Sequence, residues 1–82
     1  MNEIYVVIDS NGYVESYRKF ESAKQDVIEA LMIHAEQYRY SAEELADAIA
    51  EFNADYEAGR VTCGTYLGEY EIRCVKSAII ED

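Results

Sequence analysis

Proline and tryptophan are absent from this chain, and only four glycines interrupt it. With so few breakers there is little from which to build long loops or linkers, so the 82 residues are expected to form one domain. Basic residues are scarce: seven Lys and Arg stand against 17 Asp and Glu, a formal net charge of −10. That excess repels nucleic acid and anionic membranes and favours basic partners. One histidine and two cysteines are too few for the usual four-ligand structural zinc site. No apolar run approaches the ~20 residues that cross a bilayer. The opening residues MNEIYVVID lack the basic flank and the longer apolar core of a secretory signal. The two cysteines are then expected as free thiols in a reducing cytoplasm. Half the residues are hydrophobic, which argues against disorder despite the charge.

What the chain does have is concentrated in Ser41 to Gly59, which holds six of the 17 acids and no Lys or Arg. Leu45, Ala48, Ile49, Phe52 and Tyr56 recur at helical spacing and form one apolar stripe. Glu43, Glu44, Asp47, Glu51, Asp55 and Glu57 lie away from it. Ser41 and Glu44 have the spacing of a capping box, and Gly59 suits the left-handed residue that closes a helix. Glu43, Asp47, Glu51 and Asp55 are each four apart, so they form a row with ~5–6 Å between successive Cβ atoms. Like charges at that spacing disfavour the helix by ~0.2–0.5 kcal/mol per pair. The spacing is comparable to that of phosphates along a nucleic-acid strand. Two readings stand side by side: an ordinary solvated face, or a surface that competes for a groove built to hold nucleic acid.

On either side of this helix the patterns are simpler. Residues 3–9 (EIYVVID) are β-branched and aromatic, as strands are, and Asp9-Ser10-Asn11-Gly12 is a turn. A bulged three-residue loop pairs Ile8 with Val14, Val6 with Ser16 and Tyr5 with Tyr17. In that register Ile4, Val6, Ile8 and Val14 are expected to face the core, with Tyr5, Val7, Tyr13 and Tyr17 on the opposite face. Tyrosines there would serve as an interface or simply as cross-strand packing. Ser22 and Gln25 suggest a second capping box opening a first helix. Its core stripe is Ala23, Val27, Ala30, Leu31, Ala35 and Tyr38, and it ends near Tyr38 to Tyr40. Beyond Gly59, a II′ turn at Gly68-Glu69 pairs Leu67 with Tyr70, Thr65 with Ile72 and Cys63 with Cys74. Val61, Cys63, Thr65, Leu67, Tyr70, Ile72 and Cys74 then share the core face. The order β-β-α-α-β-β predicts an α+β fold, an antiparallel sheet of three to four strands with two helices packed on one face.

Few residues here speak of chemistry. His34 has no acid, base or nucleophile at a diagnostic spacing and is expected at the core or its rim, hydrogen-bonded through one nitrogen. Cys63 and Cys74 belong to no C-x-x-C motif, and Asp9-x-Asn11 lacks the later ligands of a calcium loop. No phosphate-binding or nucleophile-elbow pattern occurs. Hence no catalytic residue, cofactor or metal is expected.

The hairpin YVVIDSNGYV and the acids of Ser41–Gly59 together resemble, in layout, small phage-encoded anti-restriction and anti-CRISPR inhibitors, several of which mimic DNA. The resemblance covers no diagnostic motif, so it transfers no functional residue. It implies a stoichiometric inhibitor that occupies a nucleic-acid-binding surface. The expected partner is a basic, nucleic-acid-binding protein, contacted through Glu43, Glu44, Asp47, Glu51 and Asp55, with Tyr5, Tyr13 and Tyr17 as a second contact. The alternative is a homodimeric structural or adaptor module joined through exposed tyrosines and Met32 and Ile33. Direct binding to nucleic acid or membrane is not expected.

Overall fold

Both ends of the chain supply the middle of the sheet. The computed structural model describes residues 2–79, which form β1 (Asn2–Asp9), β2 (Val14–Tyr17), α1 (Phe20–Tyr38), α2 (Ala42–Glu57), β3 (Thr62–Leu67) and β4 (Tyr70–Ile79). The sheet order is β2-β1-β4-β3, with every neighbour antiparallel. The helices connect one edge strand to the other and pack on a single face, so the α+β architecture is as expected.

Both hairpins form in the register their turns dictate. Ile8 faces Val14, Val6 faces Ser16 and Tyr5 faces Tyr17. Asp9 organises that turn: its Oδ1 accepts from the backbone N–H groups of Asn11 and Tyr13, both at 2.9 Å, while Gly12 takes the positive φ of 87°. At the other hairpin, Leu67 faces Tyr70, Thr65 faces Ile72 and Cys63 faces Cys74, with Gly68 at φ 66°.

The inward face of β1 is the reverse of the expectation. Val7 is fully buried, Tyr5 and Tyr17 pack against the core, and Val14 is 62% exposed. Ile4, Val6 and Ile8 are only half-buried, on the side away from the helices. Pairing with β4 is the cause. β4 sets Val7 beside Cys74 and Asp9 beside Ile72, and Cys74 and Ile72 already belong to the helix-covered side. Directly paired residues share a face, so β1 follows its neighbour.

The start of α1 differs too. It begins at Phe20, with Lys19 as N-cap and no side-chain cap, so the Ser22–Gln25 box does not close the end. Phe20 is the reason: it is buried and stacks on Tyr56 at 3.6 Å and on Phe52 at 6.1 Å, with Tyr5 edge-on at 5.7 Å. Apolar burial of a ring, worth ~1.5–3 kcal/mol, outweighs a cap worth ~1 kcal/mol. Ala23, Val27, Leu31 and Ala35 are buried as expected, with Ala30 partly so, whereas Tyr38 and Val61 are mostly exposed. Val61 lies just before β3, outside the paired strand.

Each helix ends in a Schellman arrangement. In α2, Arg60 N–H donates to Asp55 and Gly59 N–H to Tyr56 across the left-handed Gly59. In α1 the left-handed residue is Arg39, at φ 59°, with Tyr40 N–H donating to the Ala35 carbonyl at 2.9 Å. A side chain in that conformation carries ~1–2 kcal/mol of strain, part of which glycine's larger unfolded-state entropy cancels. Arg39→Gly is therefore expected to stabilise the domain by roughly 0.5–1 kcal/mol, read as a higher urea midpoint at unchanged m-value. A lower midpoint would mean that the Arg39 side chain does more than occupy the cap.

Candidate functional site: an acidic helix face and a carboxylate–tyrosine groove

The N-terminus of α2 is held by the expected capping box. Ser41 Oγ accepts from Glu44 N–H at 3.1 Å, and Glu44 Oε1 accepts from Ser41 N–H at 3.2 Å. Glu44 thus works on its own helix, although its side chain stays exposed. Asp55 is drawn further into the fold. Because α2 lies along β3, Asp55 Oδ2 accepts from the Gly64 N–H at 3.1 Å and Oδ1 meets Arg60 Nε at 3.3 Å. What remains of the row is Glu43, Asp47 and Glu51. All three are exposed, and among the described residues none has an ion pair or a side-chain hydrogen bond. The one other ion pair found there joins Lys76 to Glu3 on the sheet.

The tyrosines form a different structure from the open face expected of them. Tyr5 turns inward against Phe20. Tyr13 and Tyr17 reach Asp26 of α1, and both hydroxyls donate to its Oδ2, at 2.9 and 2.8 Å. Tyr70 donates to Asp9 Oδ2 at 2.9 Å, tying β4 to the turn whose backbone Asp9 already holds. His34 sits at the rim as expected, but its ring is held by stacking: Tyr70 lies 4.5 Å away and 19° from parallel, with Tyr38 at 4.6 Å and Tyr40 at 5.6 Å. Among the described residues it has no hydrogen-bond partner.

These groups enclose a groove of about 320 Å³ between α1 and the β1–β2 turn, lined among others by Asp9, Tyr13, Asp26, Glu29, His34 and Tyr70. A second concavity lies beyond His34 and Tyr70 and runs to Tyr40 and Gly68. Of the residues expected to contact the basic partner, only Tyr13 lines the first groove. The signal for the rest was present but weak. Asp26, Glu29, Ile33, His34 and Gln37 follow helical spacing beside the apolar stripe of α1, yet nothing in that stripe foretells that Asp9 and Tyr70 will meet it.

Hydrogen bonding to a carboxylate stabilises the neutral phenol. It raises the pKa of Tyr17 well above its ordinary 10.0, first through Asp26 and then through burial. Tyr13 moves the same way for the same first cause, and Tyr70 is raised by burial and then by Asp9. A raised folded-state pKa means that these contributions to stability are complete below pH ~10 and are lost as pH climbs through the folded values. Thermal stability is thus expected to fall above pH ~10, and Tyr17→Phe with Tyr70→Phe should flatten that decline. An alkaline slope unchanged in the double variant would remove these bonds as its cause.

The remaining candidates are quiet. Cys63 and Cys74 are buried, unbridged thiols facing one another. Burial pushes Cys74 up to about 11 and raises Cys63 as well, so both stay protonated and poorly nucleophilic. Among the described residues, no three His, Cys, Asp or Glu side chains converge as a metal site, and no helix is long and apolar enough to cross a membrane. Comparison with protein-family models, curated proteins and solved structures found no match to this chain.

Proposed function

We propose that this protein is a non-enzymatic inhibitor or decoy. In this reading it binds a basic protein that ordinarily grips nucleic acid, and it does so through the exposed carboxylates of α2. One observation supports it above the others: among the described residues, Glu43, Asp47 and Glu51 keep their exposure and find no counter-charge after folding, although seven Lys and Arg are available in the chain. A helix rises ~1.5 Å per residue, so the row presents one charge every ~6 Å. Measured along the axis, this is sparser than the ~3.4 Å per charge of one duplex strand, so the match to phosphate spacing is looser than the sequence alone suggests. It still falls within reach of flexible Lys and Arg side chains set for phosphate. Occupying such a groove releases counterions and gives binding that weakens steeply with salt. Glu44 flanks the row and adds to its field. The unbridged buried thiols support a reducing cytoplasm as its setting, and the resemblance in layout to phage anti-restriction and anti-CRISPR inhibitors implies the same kind of target.

Capture from a host lysate, followed by elution with duplex DNA, tests the reading. DNA should displace the captured protein, and raising the salt should do the same. Displacement by neither would remove the nucleic-acid groove from consideration.

A second reading is favoured by the sheet face that no helix covers. Ile4, Val6, Ile8 and Val75 are half-buried there and Val14 is mostly exposed, while Met32 and Ile33 are exposed on α1. A homodimeric adaptor would join through such surfaces. Sedimentation separates the two readings: a dimer that persists unchanged from low to high salt supports the adaptor, and a monomer supports the decoy.

A further inference from the structure

We propose that the groove between α1 and the β1–β2 turn is a receptor for a guanidinium group, the arginine side chain of a protein partner. It lies apart from the α2 row, and the inference stands whether or not that row is used.

The charge of the groove argues for a cation. Asp9, Asp26 and Glu29 line it, and among the described residues no Lys or Arg does. Internal bonds use only part of these carboxylates. Asp9 is mostly engaged, with Oδ1 taken by two backbone N–H groups and Oδ2 by Tyr70, so its main contribution is field. Asp26 receives both tyrosine hydroxyls on Oδ2, and Glu29 receives Gln25 on Oε1. Asp26 Oδ1 and Glu29 Oε2 are thus without partners among the described residues, on two carboxylates three positions apart along one helix.

The walls argue for a flat cation. Tyr13, 40% exposed, lines the groove and offers an open ring for cation–π contact, beside the mutually stacked His34–Tyr70 pair. A bare metal ion is poorly served, because no three ligating side chains converge there among the described residues. A lysine ammonium is compact and strongly hydrated, whereas guanidinium is planar, more weakly hydrated and carries five N–H donors in a fixed fork. It can lie flat against a ring while its in-plane donors reach two separate carboxylates, an arrangement that suits a planar fork better than a tetrahedral ammonium. A groove of about 320 Å³ is at the small end of ligand sites, the right scale for one long side chain.

The test titrates Nα-acetyl-arginine amide into the labelled full chain at ~0.15 M salt, where diffuse attraction to the acidic surface is screened beyond ~8 Å. Nα-acetyl-lysine amide and the uncharged Nα-acetyl-citrulline amide serve as comparisons. Saturable shifts are expected at Tyr13, His34 and Tyr70, with lysine binding at least threefold more weakly and citrulline leaving the groove unmoved. Glu29→Gln should weaken arginine at least threefold while the tyrosine–Asp26 bonds persist. Asp26→Asn should weaken it further. The variant with Glu43, Asp47 and Glu51 changed to Lys should retain it, which separates this site from the α2 row. Equal binding of lysine or citrulline, shifts confined to α2, or an unaffected Glu29→Gln would each overturn the proposal.

Discussion

Lysine in place of Glu43, Asp47 and Glu51 is expected to abolish capture of the basic partner while the domain stays folded. The fold should tolerate the change because none of the three side chains has a partner within it among the described residues. Repulsion among the three positions themselves is kept, while position 47 with Glu44 and position 51 with Asp55 turn from repulsive to attractive, so the helix gains no net repulsion. Only Glu43, in the first turn of α2, loses a favourable interaction with the helix dipole, worth ~0.3–1 kcal/mol. Against the partner the change is large. Three attractive contacts become repulsive, and like-charge juxtaposition at an interface costs several kcal/mol. At ~1.4 kcal/mol per tenfold, a loss of at least ~100-fold in affinity follows. Circular dichroism and a thermal melt establish the fold, and the salt-dependent affinity gives the result. The isosteric change to Gln, Asn and Gln should fall between, since it removes attraction without adding repulsion. A reversed variant that captures the same protein with undiminished affinity would falsify the role of this row.

Truncating Phe52 to Ala is expected to bring the domain close to unfolding. Phe52 is fully buried and stacks on Phe20, which in turn carries Tyr56 and Tyr5. One ring therefore holds α2, the start of α1 and β1 together. Removing a buried Phe costs ~3–5 kcal/mol in transfer and cavity terms, and a chain of this length has only ~4–12 kcal/mol in total. Urea titration should show the midpoint falling by about a quarter or more. Tyr56→Ala is the comparison: its ring is about half exposed, at 47%, and its loss should matter less. A Phe52→Ala cost below ~1 kcal/mol would mean that the aromatic cluster is not the centre of the core.

The two candidate surfaces were visible in the sequence to different degrees. The row on α2 was legible because acids four apart on a capped helix need only local winding to line up. Its membership was not. Asp55 follows the same spacing as Glu43, Asp47 and Glu51, and it leaves the free row because β3 presents the Gly64 N–H to it. The groove was hidden for the same kind of reason. Tyr13 and Tyr17 come from one hairpin, Asp26 and His34 from α1, and Tyr70 from the opposite end of the chain, and sequence periodicity does not register meetings between such distant segments.

Turn residues and helix caps act over a few positions, so the sequence alone determined the order of elements, the Ile8–Val14 and Leu67–Tyr70 registers and the Ser41–Glu44 box. Which side of β1 turns inward was decided only in the assembled sheet. Ile4, Val6 and Ile8 on one side and Tyr5 and Val7 on the other are both apolar enough to be buried, so the strand itself expresses no preference. Pairing with β4 places Val7 beside Cys74, under the helices, and that contact between the two ends of the chain carries Tyr5 and Tyr17 against the core and Tyr13 to the wall of a groove.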